Sequence, residues 1–161
     1  MASIKLKLDF DGLLEAIKAA GGDVDKAAMQ AAKECAETMH SELVSECNAS
    51  GVPSSVSSKI EHGVNVTGGG NVYEVRAGWK MGDYNPENPS AAYKAVFLNY
   101  GTARRVARKK SHVPYGGDWA TTANRGQIVG RGFIQRAKKS AGKKVKKVQK
   151  EALEKMLKEL T

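Results

Sequence analysis

The sequence predicts an α+β fold in which a small antiparallel sheet, an N-terminal strand plus a hairpin, packs against a long alanine-rich helix and a long C-terminal helix. Apolar residues recur at every second position at the start of the chain and again in two adjacent runs near its middle. In two long stretches they recur instead every third or fourth position. The chain has 161 residues, the length of one domain with enough surface to bury a core. Residues 1–161 are therefore expected to form a single domain, interrupted by a long basic loop at 103–130.

Ile4, Leu6, Leu8 and Phe10 alternate with Lys5, Lys7 and Asp9, the pattern of a half-buried strand. A short helix over 11–20 follows and stops at Gly21 and Gly22. Asp23 suits an N-cap, and Val24, Ala28, Ala31, Ala32, Cys35, Met39, Leu43 and Cys47 form one helical stripe reaching about Asn48. The alanines imply close packing against a neighbouring surface. Gly51, Pro53 and the serines between 54 and 58 predict a loop.

Ile60, His62, Val64 and Val66 alternate with polar residues or glycine. After the turn Gly68-Gly69-Gly70-Asn71, a second alternation places Tyr73, Val75, Ala77 and Trp79 on one face. Together these predict a β-hairpin. A polar Asn/Pro loop leads into Ala91 to Tyr100, where Tyr93, Phe97 and Tyr100 fall at i, i+4 and i+7 and Gly101 stands where a left-handed cap belongs, so this segment is expected to be helical. Residues 103–130 show no sustained period, although Tyr115 and Trp119 argue against a plain linker. From Phe133 onward, Ile134, Ala137, Ala141, Val145, Val148, Ala152, Met156 and Leu160 mark a final helix. It would be on the order of 40 Å long at 1.5 Å per residue.

The net charge of +9 is divided unevenly. Residues 1–100 carry 9 Lys/Arg against 13 Asp/Glu, whereas 101–161 carry 17 against 4. A basic surface in the C-terminal part suits nucleic acid, an acidic protein neighbour or an anionic membrane, and equally a solvated lysine-rich helix. An apolar stripe built largely of alanine and valine disfavours the membrane. Lysines at 5 and 7 break any apolar run at the start, so neither a signal peptide nor a transmembrane helix fits and a cytoplasmic site of synthesis is expected.

Nothing in the chain points to catalysis, a metal or a cofactor. Cys35 and Cys47, on one helix and about 18 Å apart, cannot form a disulfide and read as reduced core residues. His40, His62 and His112 share no metal-ligand spacing with them. Asp83, Asn85 and Glu87 imitate part of a calcium loop, but Asn88 replaces the required glycine and Lys94 the bidentate glutamate. Ser111, His112 and Asp118 supply the letters of a hydrolase triad without a nucleophile elbow.

Two motifs remain, AYKAVFLNYGT (Ala92 to Thr102) and RGFIQRA (Arg131 to Ala137). With the opening LDFDGLLEAIKAAGGDVDKA and the element order, they make residues 4–155 resemble the gene-ten-like tail-component family of long-tailed HK-type phages. That family usually carries an acidic residue where Asn99 stands, a proline where Gly132 stands, and a shorter connecting segment than 103–130. The resemblance implies a virion protein of the tail or neck, made in the host bacterial cytoplasm. Such a protein would complete or terminate the tail tube and join it to the head. It would act as a homo-oligomer, commonly a hexameric ring around the DNA channel, with the tail-tube protein and a head-completion or neck protein as partners.

On this reading Tyr93, Phe97, Tyr100, Gly101, Thr102, Phe133 and Ile134 are structural. Gly101 turns the chain, Thr102 hydrogen-bonds the turn and Phe133 anchors the last helix on the sheet. Partner or DNA-channel contact falls to Arg104, Arg105, Arg108, Lys109, Lys110, Arg125 and Arg131, and the acidic and basic halves are expected to attract one another between subunits. The rival expectation is a small basic protein that binds nucleic acid without sequence preference through residues 101–150.

Overall fold

The first strand, β1 (Ser3–Leu8), turns Ile4, Leu6 and Leu8 to one side and exposes Lys5 and Lys7. The computed structural model describes residues 2–8, 10, 12–67, 72–82, 89–102 and 128–160. The elements run β1, α1 (Leu13–Ala19), α2 (Val24–Ala49), α3 (Ser54–Ser57), β2 (Ile60–Thr67), β3 (Val72–Trp79), α4 (Ala91–Tyr100) and α5 (Phe133–Leu160). The predicted α+β architecture is present: a three-stranded antiparallel sheet packed against α2 and α5. The short α3 is an addition to the loop expected there.

β3 is the central strand, in the order β1-β3-β2, with both neighbours antiparallel to it. Ile4, Leu6 and Leu8 lie opposite Ala77, Val75 and Tyr73, which in turn face His62, Val64 and Val66. The two alternations read from sequence thus share one inward face, because a two-residue period in register places all its members on the same side. Trp79 N–H donates to Ala2 O at 3.1 Å, which sets the phase of the ladder. Even-numbered residues of β1 bond to β3, so the backbone groups of Lys5 and Lys7 point out of the open edge. By the same alternation His62, Val64 and Val66 present theirs at the outer edge of β2.

Helix α2 begins at Asp23, whose side chain accepts the Lys26 N–H at 3.0 Å, a cap worth about 1 kcal/mol. It ends where Gly51, at φ 65°, donates to Asn48 O while Val52 donates to Cys47 O, the double bond of a glycine-terminated helix. α5 runs antiparallel against it. Ala28, Ala31, Ala32, Cys35 and Ala36 on α2 are buried, as are Ala137, Ala141, Val145 and Ala152 on α5. Small side chains let the two backbones approach closely, and the Cys35 thiol lies 3.7 Å from Val145 O. Leu153, outside the stripe predicted for α5, is buried too.

At the rim the two halves of opposite charge meet within one protomer. Arg136 Nε bonds Glu46 Oε2 at 2.9 Å, and Glu42 accepts from both Lys144 and Ser140. The Lys144 and Ser140 hydrogen bonds hold the Glu42 carboxyl below its ordinary range. Its bridge therefore contributes at neutral pH and fades as the solution is acidified through that range.

Burial pushes both thiols up to about 12, with Glu34 and Glu46 adding smaller like-signed contributions at Cys35 and Cys47 respectively. Both cysteines are free, as the sequence spacing required. Because the folded value exceeds the ordinary 9.0, stability is complete below about pH 9 and falls as pH rises toward 12. A disulfide-exchange reagent at pH 8 is expected to leave both thiols unmodified until denaturant is added. Rapid labelling of the native protein would contradict their burial. Ala141→Leu is expected to lower unfolding stability by about 1–3 kcal/mol in denaturant titration, since the backbones leave no room for three more carbons.

Candidate functional site

α4 is helical as predicted, but its buried face is not the aromatic one. Ala92, Ala95 and Asn99 face the interior, Tyr93 and Phe97 are half-buried with ring centroids 5.6 Å apart, and Tyr100 is 59 % exposed. The aromatics share a helical face, as their spacing required. Small residues take the side against the body because they allow the helix to sit close.

The end of α4 and the start of α5 form one joint. Leu98 O accepts the Arg131 N–H at 3.0 Å, Asn99 O accepts that of Gly132 at 3.0 Å, and Phe97 O accepts that of Gly101 at 2.8 Å. In return, Asn99 Oδ1 accepts the Ile134 N–H at 2.8 Å. Gly132 occupies the position before α5 where an N-cap side chain would stand, and having none it leaves that role to Asn99 on another helix. The negative end of one helix dipole meets the positive end of the other. Asn99 is 2 % exposed, and its Nδ2 has no partner among the described residues.

The chain crosses itself just beyond. Thr102 N–H donates to Ile128 O at 2.9 Å, Thr102 Oγ1 accepts the Ile128 N–H at 3.1 Å, and Gly101 bridges Val129. Gly101 has φ 79° and ψ −174°, so it extends the chain rather than closing a left-handed cap. A Cβ there would stand 2.6 Å from Ile128 O, and one on Gly130 2.7 Å from Tyr100 O. Glycine is required at both positions for space, and at Gly101 for conformation as well. Thr102 thus bonds the returning strand rather than a local turn.

Phe133 is fully buried and meets the Trp79 ring edge-on at 6.2 Å, while the Trp79 indole donates to Val56 O at 2.7 Å. The Phe133 ring packs the start of α5 against the end of β3. Ile134 is buried beside it. Arg131 is engaged within the chain, its Nη1 contacting Ser50 O at 2.9 Å and Gly51 O at 2.6 Å. There it sits at the negative end of α2.

Arg104, Arg105, Arg108, Lys109, Lys110 and Arg125 lie outside the described residues, as do Tyr115, Trp119, Ser111, His112, Asp118, the 83–88 segment and the Gly68–Asn71 turn. At the neck from which residues 103–127 depart, the exposed apolar residues are Tyr100, Ile128 and Val129, the last 76 % exposed. Sequence periodicity could not single out Ile128 and Val129, which sit among glycines and arginines. His40 and His62 meet with ring centroids 5.0 Å apart, a pairing across elements that spacing along the chain does not reveal. Among the described residues no group of three or more His, Cys, Asp or Glu could hold a metal, and no helix is long and apolar enough to cross a membrane.

Asn99→Ala is expected to cost about 1–3 kcal/mol, because it leaves the Ile134 N–H without an acceptor. Gly101→Ala should cost at least as much, through strain and the backbone contact together. Denaturant titration of both variants checks this. Wild-type stability in either would mean that the joint does not hold the fold.

No family model, curated protein or solved structure matches the chain. The resemblance to the tail-component family thus rests on the two motifs, the opening LDFDGLLEAIKAAGGDVDKA and the element order alone.

Proposed function

We propose that the chain is a structural tail-assembly protein that caps or completes a phage tail tube and joins it to the head or neck by ring-like oligomerisation around the DNA channel. The observation that carries this reading is the joint itself. The two motifs of the resemblance are separated along the sequence by residues 103–127, a contour of about 80 Å at roughly 3.3 Å per residue, and yet their backbones bond directly, Leu98 O to Arg131 N–H and Asn99 O to Gly132 N–H. A scaffold that holds the two ends of a basic segment together presents that segment from a fixed place.

Partner contact then belongs to the exposed neck of Tyr100, Ile128 and Val129 and to the arginines and lysines of the segment it carries. Glu42 and Glu46 are already matched by Lys144 and Arg136 within the protomer. The charge left for a neighbour or for DNA is therefore mainly positive.

A second reading, sequence-independent binding of nucleic acid, draws on the exposed Lys138, Lys139, Lys143 and Lys146 of α5. The two separate in solution. Light scattering of the protein alone and with tail tubes is expected to give a closed multiple of 17.3 kDa and attachment to tube ends. Reversal of Arg104, Arg105 and Arg108 to glutamate should weaken attachment. DNA titration across a salt series should show little affinity near physiological ionic strength. Tight, steeply salt-dependent DNA binding by a protein that never attaches to tubes would reject the assembly role.

A further inference from the structure

We infer that the two open edges of the sheet form the contact between successive copies of this chain, β1 of one copy pairing with β2 of the next beside α5. The inference rests on the ring-like assembly proposed above and supplies its interface.

Among the described residues nothing pairs with the outer side of β1 or of β2. Unpaired edges of this kind invite a further strand unless something blocks them. β2 is eight residues long, contains no proline and carries Val66 on its inward face at 42 % exposure. Beside β1, a groove of about 320 Å³ is lined by Leu6, Lys7 and Leu8 from the strand and by Gly142, Val145 and Lys146 from α5. The α5 residues are one face of that helix, adjacent to the stripe that meets α2. An added β2 would bring its own α2 over its inner side, and that helix would stand next to the α5 that lines the groove.

Gly142 points the same way. A glycine inside a 28-residue helix weakens it, and a Cβ at this position would meet nothing within 4 Å. No close approach within the protomer requires it, whereas a neighbouring strand in the groove would use the space. Charge agrees with the pairing. β1 offers Lys7, which lines the groove with Lys146, while Lys5 is bridged to Glu74 at 3.1 Å; β2 carries Glu61 and no Lys or Arg.

The contact joins two different edges, so it is heterologous and repeats from copy to copy until a ring closes. β1 and β2 both run opposite to β3. In a ring whose strands lie along its axis, rotation preserves their direction, and the new pair is parallel.

The phase of the ladder provides the test. Lys7 and Val66 direct their N–H groups outward, so Lys7→Pro and Val66→Pro each remove a donor from an open edge and none from the existing ladder. By light scattering over a concentration series, wild type and Lys7→Ala are expected to assemble alike. Each proline variant should remain near the single-copy 17.3 kDa, with circular dichroism unchanged. Mixed together, the two proline variants should form a pair and nothing larger, because one retains an intact β2 and the other an intact β1.

Hydrogen exchange on wild type gives a readout that needs no substitution. The Lys5, Lys7, Val64 and Val66 amides should slow as concentration rises. Protection already complete in the dilute single copy would show that the chain covers its own edge and overturn the inference. Proline variants that assemble like wild type would overturn this interface and leave the ring standing. Wild type that stays a single copy at every concentration would overturn both.

Discussion

The end of α4 and the start of α5 complete each other's hydrogen bonding, and the placement of everything in the C-terminal half depends on that exchange. Helix termini leave several backbone groups without partners, and a buried group left so costs about 1–3 kcal/mol. Here Leu98 O and Asn99 O take N–H groups from Arg131 and Gly132, and the Asn99 side chain returns an acceptor to Ile134. Neither helix end could be exchanged for another without stranding groups on its partner. Asn99 is a compromise in this exchange, since its oxygen is used and its buried nitrogen is not. A carboxylate would remove the orphan donor and suit the positive end of α5, at the cost of burying a charge.

The joint is rigid only because α5 is itself fixed along its length. Alanines at the α2–α5 contact exchange large apolar side chains for close backbone approach, and Phe133 with Trp79 pins the helix start to the central strand. Cross-helix pairs at Glu42 and Glu46 then set the register of one helix against the other. Such partly exposed pairs add little energy individually, and their effect here is on alignment.

Periodicity made most of this legible. The inward faces of β1, β2 and β3 follow from alternation alone, and the stripe of α2 from residue spacing and the Asp23 cap. What sequence could not give was the choice between two faces of a short helix. The aromatic side of α4 has the larger apolar residues, yet the alanine side is buried, because the distance between α4 and the body is set by neighbours far along the chain. The tertiary cap was likewise invisible. Asn99 is one polar letter in an apolar run, and its acceptor role exists only once Ile134 arrives from 35 positions away. Leu153 was missed because it lies at the margin of the stripe, next to Ala152, yet is buried.

The rules that make the core legible also leave the sheet incomplete. Among the described residues three strands offer one face to α2 and α5, and with β3 in the centre, β1 and β2 are both edges. Many proteins blunt such edges with proline, a bulge or an inward charge. β1 has outward lysines, but β2 has one glutamate and an exposed valine, and neither strand contains proline. Among the described residues most backbone groups at the joint are paired, whereas the outer sides of β1 and β2 have no strand beside them. The hydrogen-bonding capacity of such an edge is directional and runs the length of a strand, so it is matched best by another strand.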